Sequence, residues 1–312
     1  MTAWRVVAGA PVRVDDDPPA PGVDDVVIAV DAAWLAPAAV VAASAVVAGS
    51  AAVGAIVDAG EQARSLVGTR ALIGPHLPCG ECEVCRRGGA PVCPRGGVLG
   101  VDRRGTLADR ITVPARWVVG FGPALDLPGP VAAVVAGDVA IAYAMYARAS
   151  IGPREPAVVI GDDVSARFLA QILIAKGVTP VVIAGEGAAA DRAAAIAGAA
   201  ALGYAGKPWR LFATTVAARE VALALAGPRA TIVARAFFGD GGGLALDASQ
   251  LAAEIAVHAV IGAHPDLLVE VAALVVRGEV TLDGLVRVVT VDALAAALAS
   301  PPRGQAIVVA LR

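Results

Sequence analysis

The 312-residue sequence predicts an α/β protein of about two domains, the second a doubly wound parallel sheet. Three observations lead there. Strand-like and helix-like runs alternate after residue 157; all four cysteines crowd into one short segment; and apolar residues make up 57% of the chain against 17% charged, which implies a large core.

Composition removes several classes of function. The net charge is −3, the pI is about 5.7, and no basic run occurs, so no nucleic-acid partner is expected. Only two lysines are present, Lys176 and Lys207. Four cysteines are too few for a disulfide-rich secreted fold. Mean hydropathy is high at +0.71, and Ala32 to Val57 is uncharged and long enough to span a bilayer. That run is mostly Ala, Val and Gly, is broken by Pro37, Ser44, Gly49, Ser50 and Gly54, and has no flanking basic cluster. It is expected to form a buried strand and helix, with no membrane partner. Met1 to Pro18 lacks a signal-peptide pattern, so the expected location is the cytoplasm.

Cys79, Cys82, Cys85 and Cys93 follow a C-x2-C-x2-C-x7-C spacing. Four thiolates this close can enclose one tetrahedral Zn²⁺ and leave no open coordination position, which makes the site structural. Arg86, Arg87 and Arg95 would soften its negative charge. The spacing is also compatible with a 4Fe–4S cluster, and free or disulfide-bonded cysteines are the simplest alternative.

In the second half, Ala157 to Ile160, Val181 to Ile183, Leu211 to Ala213, Ala230 to Ala234 and Ile255 to Ile261 read as strands. Val164 to Lys176, Ala188 to Ala200, Ala217 to Ala226 and Asp266 to Arg277 read as helices, the first ended by Gly177. The turn after the first strand is where such a sheet binds a dinucleotide.

A cysteine lobe upstream of such a half resembles the medium-chain dehydrogenase/reductase superfamily, of the zinc alcohol dehydrogenase type. The strand Val26–Val30, the segment Gly49 to Gly60, the lobe, and GTLADRITVPARWVV (Gly105 to Val119) stand in that family's order, and Val288 to Leu311 resembles its returning helix and strand. Trp4 to Val12, the lobe and Val134 to Gly161 are closest in wording to the 6-hydroxycyclohex-1-ene-1-carbonyl-CoA dehydrogenases. The resemblance implies a GroES-like β-rich domain with a four-cysteine zinc lobe (residues 1–128, completed by 288–312) and a Rossmann-like cofactor domain (129–287). It also favours zinc over an iron–sulfur cluster.

The chemistry of that family needs a second metal as Lewis acid. Its positions here are occupied by other residues. The first-loop ligand falls at Ala36 and the proton relay at Ala38; the Gly-His-Glu motif falls on Gly49-Ser50-Ala51; the third ligand falls on Gly137, beside Asp138. Asp138 is expected to cap the following helix. His76, His258 and His264 are dispersed, so no catalytic metal set is expected. The glycine-rich turn reads Gly161-Asp162-Asp163-Val164-Ser165-Ala166: Gly161 keeps the first glycine, Asp163 replaces the second and Ala166 the third. Asp163 places a side chain and a negative charge where the pyrophosphate would approach, at a helix N-terminus that favours anions. The ribose-binding position falls at Ala184, with Glu186 the nearest replacement. NAD(P) binding is therefore not expected to be strong.

The expectation is a non-catalytic structural or regulatory homologue with one structural Zn²⁺, forming a homodimer or a heteromer with an active paralogue. The alternative is an active NAD(P)-dependent oxidoreductase that works without catalytic zinc, on an alcohol, ketone or enoyl substrate such as a CoA thioester. Tyr143, Tyr146 and Arg148 are expected to lie along one packed helix rather than to serve as acid or anion contacts.

Overall fold

The computed structural model describes residues 1–36, 45–122, 125–183, 210–236, 244–300 and 304–312. The chain forms two compact units, Met1–Ala140 with Gly262–Arg312, and Ile141–Ile261.

The first unit is built on strands. They are β1 (Thr2–Val7), β2 (Ala10–Asp15), β3 (Asp25–Trp34), β4 (Ala51–Ala59), β5 (Arg70–Ile73), β6 (Arg110–Pro114) and β7 (Val118–Phe121). Two more, β13 (Val286–Val289) and β14 (Ala306–Ala310), come from the C-terminal segment. Among the described residues, one sheet runs β13-β14-β3-β4-β5-β7, and β6 also pairs with β3. The β-branched run Val26 to Val30 places β3 at the centre, with antiparallel neighbours β4 on one edge and β14 and β6 on the other. Ile28, Ile56, Leu107 and Ile111 are fully buried in the core beside it.

The apolar run Ala32 to Val57 forms the paired ends of β3 and β4, with Ala32 opposite Val53 and Trp34 opposite Ala51. Its small residues let the two strands pair closely; residues 37–44, where the expected helix would fall, lie outside the described residues. Among the described residues one helical stretch, Gly129–Ala149, is long and apolar enough to cross a membrane, but 78% of its apolar 18-residue window is buried within the protein.

The second unit contains β8 (Ala157–Ile160), β9 (Pro180–Ile183), β10 (Arg210–Ala213), β11 (Thr231–Arg235) and β12 (Ala256–Val260). All pair in parallel, in the order β12-β11-β10-β8-β9. Helix Val164–Ala175 buries Phe168, Leu169, Ile172 and Leu173. It ends at Gly177, whose φ of 78° is open to glycine without strain. Tyr143 and Tyr146 share one helix and meet edge-on at 5.6 Å, with the Lys176 ammonium over both rings. The expected helix Ala188–Ala200, and Ala38, Ala184 and Glu186, lie outside the described residues.

The unit boundaries differ from the expected 128 and 287. Helix Gly129–Val134 buries Ala132, Ala133 and Val134 and packs on β3, β4 and β14, so it belongs with the first unit. Helix Leu267–Val276 packs on the segment Val135–Val139 of that same unit. Packing, not chain order, decides both edges.

Candidate metal lobe, altered catalytic positions and cofactor turn

The four cysteine sulfurs converge. Cys79 and Cys93 lie 3.5 Å apart, Cys82 and Cys85 3.5 Å, Cys82 and Cys93 3.8 Å, and Cys79 and Cys85 3.9 Å, with all four sulfurs within 4.8 Å of one another. A tetrahedral zinc with Zn–S of about 2.3 Å requires sulfurs about 3.8 Å apart, so the donor set fits zinc. Disulfide bonding is excluded, since all four cysteines are free.

Local structure produces this convergence. Cys82 caps the short helix Glu83–Arg86, which places Cys85 one turn on, with its backbone N–H 3.5 Å from the Cys82 sulfur. The Cys79 N–H donates to the Cys93 sulfur at 3.4 Å. Gly80 takes φ +77° beneath Trp117, and a Cβ there would lie 3.2 Å from the indole. The Trp117 N–H donates to the Pro78 carbonyl at 2.8 Å and ties the lobe to the β-core.

Arg95 donates to the Cys79 sulfur at 3.3 Å. Arg95 also pairs with Glu81 at 3.2 Å, while Arg86 and Arg87 pair with Glu83 at 3.6 and 2.8 Å. The i,i+3 and i,i+4 spacing brings each of them to that nearer carboxylate. The backbone N–H of Glu81 lowers the Cys79 thiol to about 6, while burial, with the neighbouring thiols, pushes Cys85 up to about 12. A divalent cation would hold all four as thiolates.

The positions assigned to a second metal are filled differently. Trp34 is buried at the end of β3, against Gly137: a Cβ on Gly137 would lie 2.4 Å from the indole. The Trp34 N–H donates to the Asp138 carboxylate at 2.8 Å. Asp138 is therefore an interior partner and not the expected helix cap: it sits within the wide π turn Val135–Val139, inside a continuous helical stretch rather than at its start. Ser50 is fully buried beside them, its N–H bonded to the Trp34 carbonyl at 2.9 Å and its hydroxyl without a protein hydrogen-bond partner. Ala36 offers no donor atom. No metal-ligand set other than the four cysteines occurs among the described residues. His264 stacks edge-on against Trp117 at 6.3 Å, and buried His76 packs on the backbone at Gly262. The role of Trp34 was not anticipated, although a lone tryptophan two residues before Ala36 in an Ala-rich run was a usable signal.

In the cofactor turn, Gly161 has φ +144°, and a Cβ there would lie 1.9 Å from the Thr214 hydroxyl. Asp163 caps the following helix, accepting from the Ala166 N–H at 3.3 Å. Its carboxylate also accepts from the Thr214 hydroxyl at 2.5 Å and from Arg235 at 3.2 Å. Asp162 and Glu155 lie outside this set. Arg235 was likewise not anticipated; a cation closing an otherwise apolar strand was its only mark in the sequence.

Comparison with known proteins agrees with this architecture. Residues 22–123 match the alcohol dehydrogenase GroES-like domain family. L-threonine 3-dehydrogenase of Caldanaerobacter subterraneus subsp. tengcongensis is 40% identical over 60 residues, 19% of this chain and 17% of that protein. The match thus spans under a fifth of that curated relative's length. Among solved structures, an alcohol dehydrogenase from Escherichia coli CFT073 complexed with NADH aligns with a TM-score of 0.84 at 18% identity, covering 100% of this chain and 99% of that one. A cobalt- and zinc-bound thermostable alcohol dehydrogenase from Pyrobaculum aerophilum aligns with a TM-score of 0.81 at 21% identity, covering 99% and 100%. The chain has a GroES-like domain and a Rossmann-like parallel sheet, the fold of the alcohol dehydrogenases with which it aligns.

Proposed function

We propose that this chain is a zinc-stapled, non-catalytic homologue of the alcohol dehydrogenases, acting as a structural or regulatory subunit. The observation that supports the reading is Trp34: its indole packs on Gly137, the position that the resemblance assigns to a third metal ligand, and bonds to Asp138. The ligand positions 36, 50 and 137 hold Ala, Ser and Gly. Cys79, Cys82, Cys85 and Cys93 would hold one structural Zn²⁺, which cross-links the lobe and has no open position for substrate. A homodimer, or a heteromer with an active paralogue, in the cytoplasm completes the proposal.

The test is metal analysis joined to a hydride-transfer screen with NAD(H) and NADP(H). About one zinc per chain and no turnover are expected. A second bound zinc, or cofactor-dependent turnover, would overturn the reading.

A second reading is an NAD(P)-dependent oxidoreductase working without catalytic zinc. It is supported by the retained parallel sheet and by the NADH complex of the E. coli neighbour. A CoA thioester substrate belongs to this reading, on the closer resemblance noted in the sequence; the local similarity to L-threonine 3-dehydrogenase points to a different alcohol.

A further inference from the structure

The C-terminal ends of adjacent parallel strands form the crevice in which doubly wound sheets receive anionic cofactors, above all where the strand order reverses. In the described part of this sheet that point lies between β8 and β10. Asp163 follows β8, Thr214 follows β10 and Arg235 closes β11, so one carboxylate is gripped from three neighbouring strand ends.

The grip has the composition of a phosphate site. It offers a helix N–H from Ala166, a hydroxyl from Thr214 and a guanidinium from Arg235. Arg235 is only 5% exposed, and it also donates to the Ser165 hydroxyl, while its carbonyl accepts from Arg219 at 2.8 Å. A guanidinium this buried needs an anion beside it, and the partner here is internal. Asp163 is 26% exposed, so it meets the pocket from the solvent side. Gly161 has no Cβ, and the Thr214 hydroxyl lies where one would stand, so the turn packs directly on the side chain that holds Asp163.

We propose that Asp163 is a built-in occupant of the phosphate pocket, an autoinhibitory carboxylate that Arg235 and Thr214 hold in place and that keeps the turn closed to dinucleotides. The proposal rests on the non-catalytic reading only for its choice of excluded ligand, the pyrophosphate of a dinucleotide.

The experiment titrates the full-length protein and two variants, Asp163→Gly and Asp163→Asn, with NADH and NADPH, following nicotinamide fluorescence. Wild type is expected to show no saturation up to about 1 mM, and Asp163→Gly to bind at least about tenfold more tightly. Asp163→Asn keeps the cap and loses the charge, so it should show a smaller gain, and it decides the matter where the glycine variant does not fold. Affinities within about twofold of wild type in the folded variants overturn the proposal. That result leaves the non-catalytic reading standing; a second zinc in wild type overturns that reading and leaves this one.

Discussion

Trp34 donates its indole N–H to the Asp138 carboxylate at 2.8 Å, and both side chains are buried. The bond joins the end of a central strand to a wide helical turn 104 residues away. It is shielded from water, the setting in which a hydrogen bond contributes most. The same indole leaves no space for a side chain at Gly137.

Trp34→Phe keeps most of the ring volume and removes the donor. Loss of about 1–3 kcal/mol is expected in urea unfolding. Gly137→Ala drives a methyl into the indole and should cost at least about 1–3 kcal/mol. A Trp34→Phe variant as stable as wild type would mean that the bond contributes nothing net.

Zinc in the cysteine lobe should be one atom per chain. Its removal by a chelator, or Cys85→Ser, is expected to lower stability by several kcal/mol, a fall of about 10 °C in Tm for a protein of this size. Elemental analysis with parallel thermal melts checks this. An iron–sulfur chromophore in the purified protein would replace the assignment.

The Trp117–Pro78 bond and the Gly80 turn hold that lobe against the core. Gly80→Ala combines a left-handed backbone with a Cβ 3.2 Å from the indole, and is expected to cost about 1–2 kcal/mol. Trp117→Phe loses the N–H to Pro78. Both variants should release zinc to a chelator faster than wild type, measured with a metal-sensitive dye.

His76 gives the fold an acid sensitivity. Burial lowers its pKa from 6.5 to about 4, opposed by the charge of Asp102. The folded state therefore holds His76 neutral, while the unfolded chain binds a proton below about 6.5. Stability from this group is complete above that value and is lost as pH falls from about 6.5 to about 4, in total a few kcal/mol. Melting curves of wild type and His76→Gln across that window should converge toward low pH. Parallel curves would show that His76 does not titrate on unfolding.

Much of the candidate site was legible before any tertiary contact was known. The cysteine spacing suggested one enclosed tetrahedral site, because thiols so close in the chain can converge on one ion. The β-branched runs of the second half, separated by helical stretches, implied a parallel sheet, and its described elements fall within a few residues of expectation. Gly161, Asp163 and Ala166 could be placed in one turn because a strand led into them and a helix led out.

Long-range packing determined the rest. Asp138 read as a helix cap because local sequence favours that role for an aspartate; its actual partner, Trp34, is brought to it by the sheet. The unit boundaries moved because helix Gly129–Val134 buries its apolar face against strands far away in the chain. By itself the sequence determined where the four cysteines cluster, since their spacing is local, and the resemblance supplied the positions to compare with a catalytic metal site. Only the tertiary structure decided which side chains meet there: an indole beside Gly137 and a carboxylate bound to Arg235. A buried void or an unpaired buried charge costs free energy, and the side chains that meet those demands come from distant parts of the chain.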